Sequence, residues 1–216
     1  MKLYSVGLAV AMIGLAGMAQ AATTTFTAED VLPTGLGTLQ TERSNWQTAV
    51  GSPVSSEGFE GLQGAVGNTL TFADFTLTHS GGGLTLFGSN SLTRTEGVQG
   101  LGFSGNGSVT FTFASTINAF GIDWSSFDQT STVVDYSDDG GNSLSDLFVP
   151  VTNAGAGFFG IIDTGGFSSV TFNVSQTEIL EFDNIAWGTV APVPLPAGLP
   201  LLLAGLGGLA MLRRRT

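Results

Sequence analysis

The chain has 216 residues, with 17 acidic side chains against six lysines and arginines, a formal net charge of −11 and no cysteine. Lys2 and Arg213 to Arg215 stand at the two ends, so residues 22–190 set all 17 acids against Arg43 and Arg94 alone, a net charge of −15 without one lysine. That balance excludes a nucleic-acid partner, which needs basic surface to displace counterions, and the missing cysteines exclude disulfides, thiolate nucleophiles and cysteine metal sites.

The chain opens on a targeting pattern. Lys2 gives a small basic region, Leu3 to Met18 is apolar, and Ala19-Gln20-Ala21 is a small-residue cleavage site. Residues 1–21 therefore read as a secretory signal helix, removed after Ala21. Residues 22–57 form an N-terminal segment with a short helix. Ser44 is a capping residue, Gly51 a stop, and Trp46 and Val50 are expected to pack on a sheet.

Residues 58–189 are rich in glycine, threonine, serine, valine and phenylalanine, an all-β composition. Gly58 to Gly61 reads as a short edge strand. Leu70 and Phe72 share one phase and Phe75 and Leu77 the other, so Ala73-Asp74 must be a bulge or a turn. Val109, Phe111 and Phe113 alternate with threonines, and Phe120, Ile122 and Trp124 alternate with smaller or polar residues. Val133 to Tyr136 runs into the hairpin signal Ser137-Asp-Asp-Gly-Gly-Asn142. Phe158 to Ile162, Val170 to Val174 and Ile179 to Trp187 complete a set of roughly nine or ten strands. The expected class is all-β, an antiparallel jelly-roll-like β-sandwich between two terminal apolar helices.

Catalytic signals are sparse. His79 is the single histidine, there is no G-x-S-x-G turn, and no pair of acids stands out as a hydrolase dyad. The expectation is a protein that is not an enzyme. Asp138 to Asn142 lacks the closing glutamate of a calcium loop and reads as a plain turn. A glycan-binding module would instead expose aromatic platforms, with Trp124 and Trp187 as candidates and loss of the idea's basis if both are buried.

Residues 190–216 have three parts in order: Pro192, Pro194 and Pro196, then an uncharged run to Leu212, then Arg213, Arg214 and Arg215. Proline is excluded from helix interiors, so the first part is an extended spacer. Val190 to Leu212 carries no charge and suffices for a membrane helix when its proline end lies among headgroups, a span needing roughly 20 residues. The arginines place the C-terminus in the cytoplasm.

This order resembles the PEP-CTERM class of bacterial sorting signals. Val193-Pro194-Leu195-Pro196-Ala197 resembles its VPLPA variant letter for letter. The resemblance implies export across the inner membrane and processing by an exosortase, a membrane-embedded transpeptidase-like enzyme. The body would then reside at the cell surface or in an extracellular matrix or biofilm, associated with exopolysaccharide. The order of features in the body, from Phe59-Glu-Gly61 to Phe182-Asp-Asn-Ile185, also resembles the jelly-roll domain of such sorted proteins, similar in layout to carbohydrate-binding modules. That layout implies neighbouring first and last strands, which would bring Glu60 and Asp183 together as calcium ligands. The roles compatible with all this are a structural or adhesive surface protein, a lectin-like glycan-binding module, or a polysaccharide hydrolase, in falling order.

Overall fold

Phe111 and Phe120 would stand about 30 Å apart on a straight strand, yet their rings are 5.4 Å apart. Both belong to one 19-residue strand that folds over on itself, and this bend organises the molecule. The structure, a computed structural model, describes residues 22–31, 36–62, 66–87, 97, 99–104, 106–125, 133–148, 155–175 and 179–190. The segment expected to be a signal peptide, with Ala19 and Ala21, and the segment expected to be a sorting tail, with Val193 to Ala197 and Arg213 to Arg215, lie outside them. Among the described residues no helix is long and apolar enough to cross a membrane.

The elements are β1 (Thr23–Val31), α1 (Gly37–Val50), β2 (Ser55–Glu57), β3 (Thr69–Thr71), β4 (Phe75–His79), β5 (Thr85–Phe87), β6 (Gly100–Ser104), β7 (Gly107–Ser125), β8 (Val133–Asp138), β9 (Ser143–Leu144), β10 (Gly155–Ser175) and β11 (Ile179–Gly188). Every strand pairing is antiparallel. The first half of β7 lies between β4 and the end of β10, with β3 beyond β4 and β8 and β9 beyond β10. The second half of β7 lies between β11 and the start of β10. Outside these run β1 on β10, and β6 and β2 end to end on β11. Register shifts between Ile162 and Ser169 of β10 mark the fold-over on that strand. The result is an all-β antiparallel sandwich in which β7 and β10 contribute to both layers.

The core is aromatic. Phe111, Phe120, Phe159, Phe172, Phe182 and Trp124 are fully buried between the layers, and Phe111, Phe120 and Trp124 all pack their rings on Phe172. Each such side chain contributes roughly 1.5–3 kcal/mol by leaving water.

The 22–57 segment is part of this sandwich, not a lead-in to it. β1 and β2 pair with β10 and β11, and α1 covers the outer face of the second layer. Trp46 fits there because Gly121 and Gly160 leave the sheet flat; a Cβ on Gly160 would stand 2.7 Å from its ring. Its indole N–H donates to the Ile161 carbonyl at 3.2 Å. The helix ends at Gly51, as expected, in the left-handed region at φ 67°. It starts seven residues before Ser44, because Asp30 of β1 accepts the Leu39 amide at 2.8 Å and caps the first turn from outside the helix.

The short edge strand is Ser55–Glu57, three residues ahead of its expected place. Phe59 and Gly61 take positive φ, 59° and 86°, which ends the strand and makes 58–61 a turn. His79, the single histidine, closes β4 with 3% of its surface exposed. Its ring lies 4.4 Å from Phe103, and its Nδ1 lies 2.5 Å from the Gly82 carbonyl, which assigns the proton to that nitrogen.

Candidate functional site

The bend in β7 leaves a groove at one end of the sandwich. Phe72 to Phe75 turn sharply between β3 and β4, the Phe72 amide donating to the Phe75 carbonyl at 2.9 Å. The turn leans on the bend, where the Ala114 amide donates to the Asp74 carbonyl at 2.9 Å. Two cavities meet there. One of about 380 Å³ is lined by Ser56, Glu57 and Phe72 among others, and one of about 300 Å³ by Pro53, Thr116 and Thr189 among others. Both share Ser55, Asp74 and Trp187, so they are two lobes of one groove. Volumes of this order are usual for small-molecule sites, roughly 300–1,000 Å³.

The groove has an aromatic floor and a polar rim. Trp187 packs edge-on against Phe75 at 5.1 Å, and Phe75 stacks on Phe72 at 4.6 Å. Asp74 and Ser55 are exposed, and Glu57 is half-buried with its Oε1 accepting the Phe59 amide at 2.7 Å. The tryptophan platforms named from the sequence are corrected by this arrangement. Trp124 is a core residue with no exposed surface, and Trp187 is buried too, with 9% of its surface exposed, so neither forms a platform and a glycan reading loses the basis expected for it from the sequence. The rim residues carry no motif of their own; the one sequence signal was the phase switch at Ala73-Asp74.

A second feature is charged and buried. Asp123 of β7 and Asp183 of β11 stand directly opposite in register, 1% and 3% exposed, on the face that α1 covers. Like charges so placed repel. Arg43 of α1 meets Asp123 at 2.7 Å, donates to the Asn184 carbonyl at 2.6 Å and lies 4.9 Å over the Phe158 ring. Asn184, at φ 50°, donates its side-chain amide to Asp123 at 3.1 Å. Arg43, one of two cations in residues 22–190, thus serves to hold the helix on the sheet.

Glu60 and Asp183, the calcium ligands expected from the sequence, both lie beside Gly58. A Cβ on Gly58 would lie 3.9 Å from the Glu60 Cγ and from the Asp183 Oδ1, while the Glu60 carboxylate itself lies against Gly97. Glu60 also accepts the Gln99 amide at 3.0 Å, and Asp183 the Asn184 amide at 2.7 Å. Among the described residues no group of three or more His, Asp or Glu side chains is gathered to hold a metal ion. The donor set fits a hard cation in kind, being all oxygen, with backbone carbonyls needed to fill six to eight positions.

The Asp138 to Asn142 cluster is a turn closed on itself. Asn142 donates from its side chain to Asp138 at 3.0 Å and to Asp163 at 2.7 Å, and Thr23 donates to Asn142 at 2.9 Å. Tyr136 donates to Asp138; burial first, then that carboxylate, pushes its phenol well above the usual range. At Asp139 partial burial works to raise the carboxyl. The Ser168 hydroxyl and the Ser169 and Ser168 amides outweigh it and hold the group below its ordinary 3.8.

No family model matches the chain, and no curated protein matches it. Among solved structures it is similar to the enzymatically active domain of bacteriophage CBA120 tailspike protein 4, with a TM-score of 0.33 and 19% identity over 54% of this chain and 19% of that one. It is also similar to the family 11 carbohydrate-binding module of the cellulosomal cellulase Lic26A-Cel5E of Clostridium thermocellum, with a TM-score of 0.31 and 12% identity over 64% of this chain and 96% of that one. The chain thus spans about a fifth of the tailspike domain.

Proposed function

We propose that this is an exported, surface-held protein whose sandwich binds glycan in the Trp187 groove, and that it is a binding protein and not an enzyme. With neither tryptophan forming a platform, the supporting observation is the groove itself: a two-lobed cleft with the partly buried Phe72 in one lobe and Asp74, Ser55 and Glu57 along its rim. Sugars offer a rim of hydroxyls and apolar ring faces, and the cleft offers polar rim groups for the first and the Phe72 ring for the second. In this reading the sandwich is jelly-roll-like and residues 190–216 are the PEP-CTERM sorting signal. Export begins with cleavage after Ala21, Arg213 to Arg215 hold the tail helix in the inner membrane, and an exosortase processes the chain near Val193 to Ala197. Glu60 and Asp183 are its carboxylate ligands for a calcium ion, which would tie the 58–61 turn to β11.

Binding of the full chain to exopolysaccharide from the producing strain, followed as a saturation curve, tests the glycan reading. Saturable binding weakened by Asp74→Ala supports it. Matrix association without saturation favours a purely structural or adhesive role. The intact mass of the recovered protein tests the tail: an end near Ala197 that requires the sorting enzyme supports processing, and an end at Thr216 in its presence refutes it.

A further inference from the structure

The chain enters and leaves the sandwich at one end. Ala22 is tied to the bend of β10, its amide donating to the Thr164 hydroxyl at 2.9 Å and its carbonyl accepting the Thr164 amide at 3.2 Å. Far along the chain, the Thr189 carbonyl accepts the Ser52 hydroxyl at 2.5 Å. The register joins the two points in one row: Thr24 stands opposite Ile162, Ile162 opposite Ala119, and Ala119 opposite Gly188. Three strand spacings separate Thr24 from Gly188, roughly 14 Å. This row lies next to the bends of β7 and β10. The opposite end of the sandwich, with Ser125, Ala156 and Ser175, is roughly 25 Å away, the length of β7 from Ile117 to Ser125.

The bend end also differs in charge. Pro53, Ser115, Thr116, Thr164, Gly165 and Thr189 are exposed there, and none is charged. Asp163 beside them is buried, and Asp74 and Asp139 stand on turns of the other layer. Residues 22–190 carry a net charge of −15, and Arg43, the one lysine or arginine among the described residues, is buried against Asp123. No described surface therefore offers a side-chain cation to anionic lipid, and a body lying flat on α1 would bring Glu42 to the headgroups. The uncharged bend end of the second layer meets them without that repulsion.

We propose that the membrane-held protein stands on its bend end, with the uncharged surface around Ser115, Thr164 and Thr189 facing the bilayer and the Ser125 to Ser175 end pointing outward. The proposal rests on the reading of residues 190–216 as a membrane-held tail and goes beyond it by assigning the face turned to the lipid. Val190 to Ala197 reach at most about 25 Å, so the end that carries Thr189 stays within that distance of the headgroups. Until cleavage after Ala21 the N-terminal segment leaves at the same end, so the body folds with both segments in the bilayer and neither crosses it. The groove lobe lined by Pro53, Thr116 and Thr189 then lies on the membrane side of the body.

The chain has no cysteine, so Ser115→Cys and Ser175→Cys each give a full chain with one exposed thiol. Each is labelled with the same fluorophore and reconstituted into phosphatidylcholine vesicles in which some headgroups carry a quencher. Quenching at 115 should exceed that at 175 by about twofold or more, as a height difference of roughly 25 Å requires. Adding phosphatidylglycerol should keep that order. Thr116→Cys and Asn173→Cys, also at exposed positions, repeat the two readings should either first variant fold poorly. Equal quenching at the two ends, or stronger quenching at 175, would overturn the proposal while leaving the anchor in place. A chain that stays out of the vesicles would remove the anchor and the proposal together.

Discussion

Arg43→Met puts the buried charge pair to a direct test. The substitution keeps the aliphatic stem over Phe158 but removes the guanidinium that Asp123 faces at 2.7 Å and that reaches the Asn184 carbonyl at 2.6 Å. Asp123, 1% exposed, would be left opposite Asp183 with its cation gone. Removing one partner of a buried pair costs about 3–5 kcal/mol. For a domain of this size that lowers the melting midpoint by roughly 6–20 °C. Urea unfolding followed by tryptophan fluorescence gives the free energy, since Trp46 sits on the same helix. A second variant, Arg43→Met with Asp123→Asn, also removes the carboxylate's charge while Asn184 can still donate to its oxygen, and should recover about half of the loss or more. A single-variant cost below about 1 kcal/mol, the range of surface pairs, would refute the reasoning, as would a double variant no more stable than the single.

Gly160→Ala should cost about 1–3 kcal/mol, because its Cβ would stand 2.7 Å from the Trp46 ring and 2.8 Å from Phe158; unchanged urea midpoints would show that α1 shifts freely. At Asp139 the folded carboxyl lies below its unfolded value of 3.8, so its contribution is complete above that pH and is lost as pH falls through the folded value. Asp139→Asn should therefore flatten the acid limb of a stability–pH curve, and parallel curves for the two proteins would count against it. Calcium should raise the melting midpoint of the natural chain, and Asp183→Asn, flanking Gly58 with Glu60, should abolish that rise; no calcium response in the natural chain would dispose of the ion.

The expectation of export and the class of fold both come from local signals. Lys2 to Ala21, and Val190 to Arg215, are continuous segments whose meaning lies in their order, so they can be read without a fold. The alternations at Val109–Phe113, Phe120–Trp124 and Val170–Val174 likewise mark strands, because the two-residue period is a property of neighbouring residues. The Gly51 stop was legible for the same reason. The helix start was not, because its capping carboxylate, Asp30, sits on another element. Phe111 and Phe120 read as two strands, since nothing within either run signals a bend that only packing in two layers requires.

The site belongs to the tertiary structure almost entirely. Asp74, Ser55 and Trp187 come from a turn, a three-residue strand and the last strand, and no spacing in the chain relates them. Arg43 and Asp123, 80 residues apart, meet because α1 lies on β7. Sequence by itself determined that this protein is anionic and that it is built of β-strands, since each of these is a sum or a period over neighbouring residues. Which carboxylates are buried, which tryptophan reaches a groove and what that groove can hold were decided when β7 and β10 bent, because only the bend brings distant segments within bonding distance.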